Sequence, residues 1–245
     1  MTTCITTFSR DGYDLYGKKM IDSWLEHWPS ETKLLVYHEG FEIHADHKRI
    51  IKLNLLECSE KLCNFKQRSK ALSNSAVSKK EKNRIFKTVK WCHKVYATSH
   101  ALKTNNDEFL IFLDGDTYSV NKVPVDFARL LVEDNLFAVH FEKLKDGLHF
   151  ETGLIVFNNS HSKISWFADI FTSAYDSLDI YNMKKTWDGY WLAHLYEKFR
   201  LPVKNLSENR NGVFNHPLVS RCLKHDVGTK KYLAAGYNEF TGRKI

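Results

Sequence analysis

The stretch FLIFLDGDTYSV, residues 109–120, decides the fold of this chain. Five apolar residues, Phe109 to Leu113, run without a polar interruption and end in Asp114-Gly115-Asp116. An apolar run of this length, bounded by turn residues, suits a strand covered on both faces of a sheet. Two carboxylates at the end of such a strand are costly without a partner, so a cation is their natural companion. Gly115 lets the backbone turn and approach a ligand closely. The expectation is a divalent metal held against a phosphate-bearing substrate.

The elements around this strand read as alternating strands and helices. Cys4–Phe8 is a first strand. Residues 16–28 place Met20, Ile21, Trp24, Leu25 and Trp28 at helical spacing, and Pro29 ends that helix. Lys33–His38 is a second strand and Arg49–Leu53 a third. Strand, helix, strand in this order is a βαβ unit, which calls for a parallel sheet. Residues 84–103 form an amphipathic helix with Phe86, Val89, Val95, Ala97 and Leu102 inward and Lys87, Lys90 and Lys94 on another side. Strands over 136–141 and 154–158 and helices over 162–178 and 187–199 follow. Residues 56–80 are ambiguous, and the small, charged stretch SNSAVSKKEKN, residues 73–83, reads as a mobile loop.

Composition narrows the class. The 245 residues are 43% hydrophobic and 13% aromatic, enough for a substantial core and unlike a disordered chain. No apolar stretch approaches the roughly 20 residues that span a bilayer. The polar, charged first residues resemble neither a signal peptide nor an anchor, so a cytoplasmic protein is expected. The cysteines Cys4, Cys58, Cys63, Cys92 and Cys222 are odd in number and irregular in spacing. They read as reduced thiols rather than a zinc site.

The net charge of +7 is concentrated. Between residues 66 and 94 lie Lys66, Arg68, Lys70, Lys79, Lys80, Lys82, Arg84, Lys87, Lys90 and Lys94, against the single acid Glu81. All of the excess positive charge sits in this segment, and the remainder is slightly acidic. A clustered positive field favours a polyanionic partner.

Two other readings of Asp114-x-Asp116 can be tested on the sequence. An EF-hand loop needs an oxygen ligand at its fifth position, glycine at the sixth and an acid at the twelfth. Those positions hold Tyr118, Ser119 and Val125, so that reading fails. A haloacid-dehalogenase phosphatase usually has Thr or Val where Tyr118 stands and carries its motif near the N-terminus. A second constellation, His225-Asp226-Val227-Gly228-Thr229-Lys230-Lys231-Tyr232, lies near the C-terminus. A histidine there can complete a metal site begun by two distant aspartates, and a lysine six residues on can meet a diphosphate.

Taken together, these residues resemble the GT-A glycosyltransferases, especially the glycogenin-like family 8 and related phage and bacterial enzymes. Asp114-Gly115-Asp116 matches the family's DxD. His225-x-x-Gly228-x-x-Lys231 matches the first part of its HxxGxxKPW motif, with Tyr232-Leu233 replacing Pro-Trp. Glu151-Thr152-Gly153 before LIVFN resembles the segment leading into a family strand, and Trp187-Asp188-Gly189 stands where the family carries an acidic motif.

The resemblance implies a single α/β domain over 1–245, GT-A and Rossmann-like, with a mixed, mostly parallel sheet flanked by helices. Residues 1–120 would bind the nucleotide-sugar and 121–245 would form the acceptor side. It implies Asp114, Asp116 and His225 as ligands of manganese or magnesium, with Asp114 also near the ribose. Thr6, Thr7 and Phe8 would touch the nucleotide base, Lys94 and Gly228 the donor phosphates or sugar. Lys231 would neutralise the departing diphosphate, and Asp188 would face the reacting sugar or receive the acceptor's proton.

The expected function is metal-dependent transfer of a sugar from a nucleotide-sugar, a UDP-sugar foremost, to a hydroxyl. Segment 66–94 suggests DNA as acceptor, such as hydroxymethylated pyrimidine in phage DNA. The alternatives are a surface saccharide or protein acceptor, a non-catalytic DNA-binding module, and a magnesium-dependent phosphatase.

Overall fold

The structure is a computed structural model that describes residues 1–144, 147–207 and 210–226. Strand β1 (Thr2–Phe8) is followed by a short helix α1 (Arg10–Gly12), a π-helical turn at Tyr13–Gly17 and helix α2 (Lys18–His27). Strands β2 (Lys33–His38) and β3 (Ile50–Asn54) come next, then α3 (Leu55–Cys58), α4 (Glu60–Ser75) and the long α5 (Lys79–Thr104). Strands β4 (Phe109–Leu113) and β5 (Thr117–Ser119) lead to α6 (Phe127–Val132), and β6 (Phe137–Leu144) and β7 (Gly147–Asn158) to α7 (Ile164–Ser177). Helix α8 (Asp188–Phe199), β8 (Val203–Asn205), α9 (Pro217–Cys222) and β9 (Leu223–His225) follow.

Among the described residues seven strands form one sheet in the order β3-β2-β1-β4-β7-β6-β8, and β5 pairs with β9 in a small second sheet. All neighbours in the large sheet are parallel except the two pairings of β7, which runs against both β4 and β6. The parallel half is what the βαβ pattern predicts, and the whole is the mixed, mostly parallel sheet that the resemblance implies. The two-faced burial of β4 is the reason that its sequence is continuously apolar. Leu110 and Phe112 face one core with α5, α7 and α8, while Phe109, Ile111 and Leu113 face the other with α2 and α6. All five are buried. Among the described residues no helix is long and apolar enough to cross a membrane.

The segment expected to be a mobile loop is instead the end of one helix and the start of another. Helices α4 and α5 meet across Ala76-Val77-Ser78, with Val77 97% exposed. Two side-chain caps explain the order. Ser59 Oγ accepts from Leu62 N–H at 3.2 Å, and Ser78 Oγ accepts from Glu81 N–H at 3.1 Å. Ser78-x-x-Glu81 is a capping-box pattern, so the run of lysines is a helix start rather than a loop. Helix α4 is held down by buried Leu62 and by Phe65, whose ring packs on Tyr96 and Tyr175 of the neighbouring helices.

The helix expected over 84–103 thus begins at Lys79; Val95, Ala97 and Leu102 are buried as expected, and the inward face differs only at its start. Ile85, Thr88, Cys92 and Val95 are buried, whereas Phe86 is 71% exposed. Both Ile85 and Phe86 are apolar, and only the contact with α4, α7 and α8 decides which one turns in. Glu151-Thr152-Gly153 lies within β7 rather than before its strand, because β7 begins at Gly147.

Candidate active site

Each element delivers its polar residue at the carboxyl end of the parallel strands, where open α/β sheets hold their ligands. Asp114 follows β4, and its N–H donates to Gly153 C=O of the antiparallel neighbour at 3.0 Å. The β6–β7 register shifts between Ala138 and His140, so Thr152 and Gly153 are released from that ladder next to Asp114. Irregularities of this kind often re-aim side chains beside functional sites. Asp188 begins α8, where a carboxylate suits the helix macrodipole. Lys94 comes from the middle of α5.

These residues meet. Lys94 Nζ lies 2.7 Å from Asp114 Oδ1 and 3.3 Å from Asp188 Oδ2, and donates to Thr152 O and Oγ1 at 3.0 Å each. Thr152 Oγ1 donates to Asp188 Oδ2 at 2.6 Å. Asp188 is 4% exposed. Burial works against the Lys94 charge, but Asp114 and Asp188 hold the ammonium above the ordinary lysine range. Asp114 responds the other way. Burial, reinforced by the nearby Asp116 charge, raises its carboxyl despite the opposing pull of Lys94.

His225 is brought to Asp116 by the small sheet. Thr117 is paired with His225 across β5 and β9, and Asp226 N–H donates to Asp116 C=O at 3.2 Å. Lys19 clamps the same turn, 2.7 Å from Asp226 Oδ2 and over the Tyr118 ring. His225 Nε2 and Asp116 Oδ1 are 2.7 Å apart. Burial lowers the imidazole's affinity for a proton, yet its hydrogen bond and charge interaction with Asp116 leave it above the ordinary histidine value.

One ligand atom from each of Asp114, Asp116 and His225 falls within 4.8 Å of the others. Two carboxylates and an imidazole are a donor set that could hold a divalent metal ion. Asp114 and Asp188 share the Lys94 ammonium, while Asp116 faces His225. His140, Glu142 and Glu151 form a second close group. There, however, Glu151 accepts from Val213 N–H at 2.6 Å and His140 Nε2 from Gly212 N–H at 3.2 Å, so two of the three brace the loop after β8.

In front of these groups is a cavity of about 380 Å³. Thr7, Phe8, Tyr16, Trp91 and Trp187 line it together with Lys94, Asp114, Asp116, Thr152 and Asp188. Gly115 forms part of the wall, where an added Cβ would stand 2.7 Å from the Phe8 ring. Of the residues expected at the nucleotide base, Thr7 and Phe8 border the cavity, whereas Thr6 is fully buried and does not. Gly228 and Lys231 lie outside the described residues.

Several lining residues carry no sequence signal of their own. Glu39 at the end of β2 is 2.9 Å from Lys66 Nζ and 3.1 Å from His93 Nε2. Burial alone would raise the Glu39 carboxyl, but hydrogen bonds and charge from His93 and Lys66 carry it down to about 2. Tyr16 enters through the π-helical turn, a feature common at functional sites. Trp91 had a signal that helical spacing could have caught, since it sits three residues before Lys94 on α5.

No protein-family profile matches the chain, and no curated protein does. Solved structures do. Mouse xyloside xylosyltransferase 1 in its apo form matches with a TM-score of 0.52 and 10% identity, over 84% of this chain and 85% of that one. The apo-form glycosyltransferase GlyE of Streptococcus pneumoniae TIGR4 matches with a TM-score of 0.50 and 15% identity, over 82% of this chain and 44% of that one. The chain therefore spans less than half the length of the GlyE structure. At these identities the likeness is one of fold, and the fold is that of the GT-A glycosyltransferases.

Proposed function

We propose that the protein transfers a sugar from a nucleotide-sugar, a UDP-sugar foremost, to a hydroxyl acceptor, with manganese or magnesium held by Asp114, Asp116 and His225. The observation that carries this reading is the convergence of those three side chains, two of which line the same cavity of a GT-A fold as the Lys94–Asp188 pair. A bound divalent ion supplies positive charge to the leaving diphosphate.

In the transfer, the acceptor hydroxyl oxygen bonds to the anomeric carbon. The carbon–oxygen bond to the diphosphate breaks, and its electron pair leaves with the nucleotide diphosphate. The hydroxyl proton passes to a carboxylate or to the leaving phosphate. Asp188 is the carboxylate proposed to face the reacting sugar or take that proton, and Lys94 and Thr152 fix its orientation. Thr7, Phe8 and Tyr16 suit the nucleotide side by their place on the cavity wall. Lys231 is assigned to the leaving diphosphate from its motif. Residues 1–120 are proposed to carry mainly the donor side, and 121–245 to complete the acceptor side. The acceptor favoured by the charge of segment 66–94 is DNA, including hydroxymethylated pyrimidine of phage DNA.

The test is to incubate the protein with manganese and a panel of nucleotide-sugars and measure release of nucleotide diphosphate. Release should depend on metal, and Asp116→Asn should slow it by about a hundredfold or more, the scale of losing one main electrostatic stabiliser. His225→Gln should raise the manganese requirement by about tenfold or more. If no nucleotide-sugar is bound or turned over, the reading is wrong. Hydrolysis of simple phosphate esters in its place would favour the phosphatase.

A further inference from the structure

Beside the donor cavity lies a second cleft of about 570 Å³, walled by the first half of α5 and the segment before α8. Its cations are Lys79, Lys80, Arg84, Lys87, Lys184 and Lys185, and among the described residues no acidic one lines it. Trp91 and Trp187 line both this cleft and the donor cavity, their rings edge to face at 6.0 Å. The walls are tied together. Thr88 Oγ1 donates to Thr186 Oγ1 at 2.7 Å, and the Arg84 guanidinium donates to Met183 C=O.

The structure divides the basic segment into two parts. Lys66 is committed to Glu39, Arg68 to Asp176 C=O and Lys94 to the Asp114–Asp188 pair. Among the described residues, by contrast, Lys79, Lys80, Lys87 and Lys184 have no acidic partner at ion-pair distance. Lys80, Arg84, Lys87, Trp91 and Lys94 follow one another at spacings of four, three, four and three, which makes a single stripe along α5. The stripe begins in the cleft and ends at the donor carboxylates.

We infer that this cleft binds the phosphodiester backbone of a nucleic-acid acceptor and leads it to the donor cavity, an inference that rests on the sugar-transfer reading. The length of the stripe favours a polymer over a single diphosphate. At 1.5 Å per residue, the stripe from Lys80 to Lys94 extends about 21 Å, matching about six successive phosphate intervals of one DNA strand. Aromatic surface is interleaved with the cations, as in nucleic-acid grooves, with Trp91 and Trp187 on the wall and Phe86 largely exposed alongside. The cleft draws on both halves of the chain, which places the acceptor path across the first half as well as the second.

The experiment uses the full chain and a fluorescein-labelled DNA duplex, with anisotropy read from low to moderate salt. The triple variant K79Q/K80Q/K87Q is compared with K33Q/K48Q/K163Q, which removes equal charge from exposed positions outside the cleft. Each phosphate contact contributes about 0.9 to the salt slope, so the cleft variant should lose about 2–3 from it and bind about tenfold or more weakly at low salt. The control triple should move both far less. Manganese-dependent nucleotide-sugar turnover without acceptor should be the same in all three proteins. The inference fails if the wild type does not bind DNA at low salt, if both triples lose affinity equally, or if only anionic lipid vesicles bind. Those failures leave donor turnover, and thus the sugar-transfer reading, standing. Absence of donor turnover would remove that reading whatever the DNA result.

Discussion

At the scale of single residues, Lys94 is the hinge of the site. Its ammonium satisfies three directions at once, toward Asp114, Asp188 and Thr152. A buried ion pair gains little over an apolar replacement, but removing one partner strands the other's charge at about 3–5 kcal/mol. Lys94→Met should therefore destabilise the fold by about that amount, read as a lower urea midpoint with unchanged slope. The further change Asp188→Asn should restore part of the loss, because it removes one of the two carboxylates left without their ammonium. A single substitution with no effect on the midpoint would mean that water reaches these carboxylates in the folded protein.

At the scale of elements, what was legible in the sequence followed from local pattern. Strand β4 was readable because both of its faces are buried, which forces an unbroken apolar run ending where Asp114 must stand. His225 was readable through the spacing around it, and β9 carries it to Asp116. The α4–α5 hairpin was misread because lysine-rich composition resembles a loop, whereas the serine caps that start its helices are single residues. The placing of Phe86 on the inward face of α5 fails for another reason. Ile85 and Phe86 are adjacent apolar residues, and only packing against other helices separates them. The cap can be tested alone. Ser78→Ala should cost about 1 kcal/mol of stability and loosen the first turn of α5. Hydrogen exchange should then speed up at residues 79–82 while the Val95–Leu102 half stays protected. Two lysines of the basic cleft, Lys79 and Lys80, lie in that first turn, so nucleic-acid affinity should fall in the same variant.

At the scale of the whole molecule, the features invisible to the sequence are those that join distant segments. Glu39 at the end of β2 meets Lys66 of α4 and His93 of α5, binding a strand and two helices at the cavity rim. No periodicity marks such a contact, since it depends on where three separately folded elements cross. Its energetic signature is pH dependence. The folded carboxyl lies at about 2, below the usual 4.5, so the unfolded chain takes up the Glu39 proton first as pH falls. The contribution to stability is therefore complete above about 4.5 and is lost progressively toward 2. Glu39→Gln should lower the melting temperature at neutral pH, where it leaves Lys66 without its carboxylate. The gap between wild type and variant should narrow steadily once the pH falls below about 4.5, because the wild type then loses what the variant never had. Melting curves recorded across that range decide the matter: a gap that stays constant from neutral pH into acid would show that Glu39 acts through shape alone, with no ionic tie between β2 and the two helices.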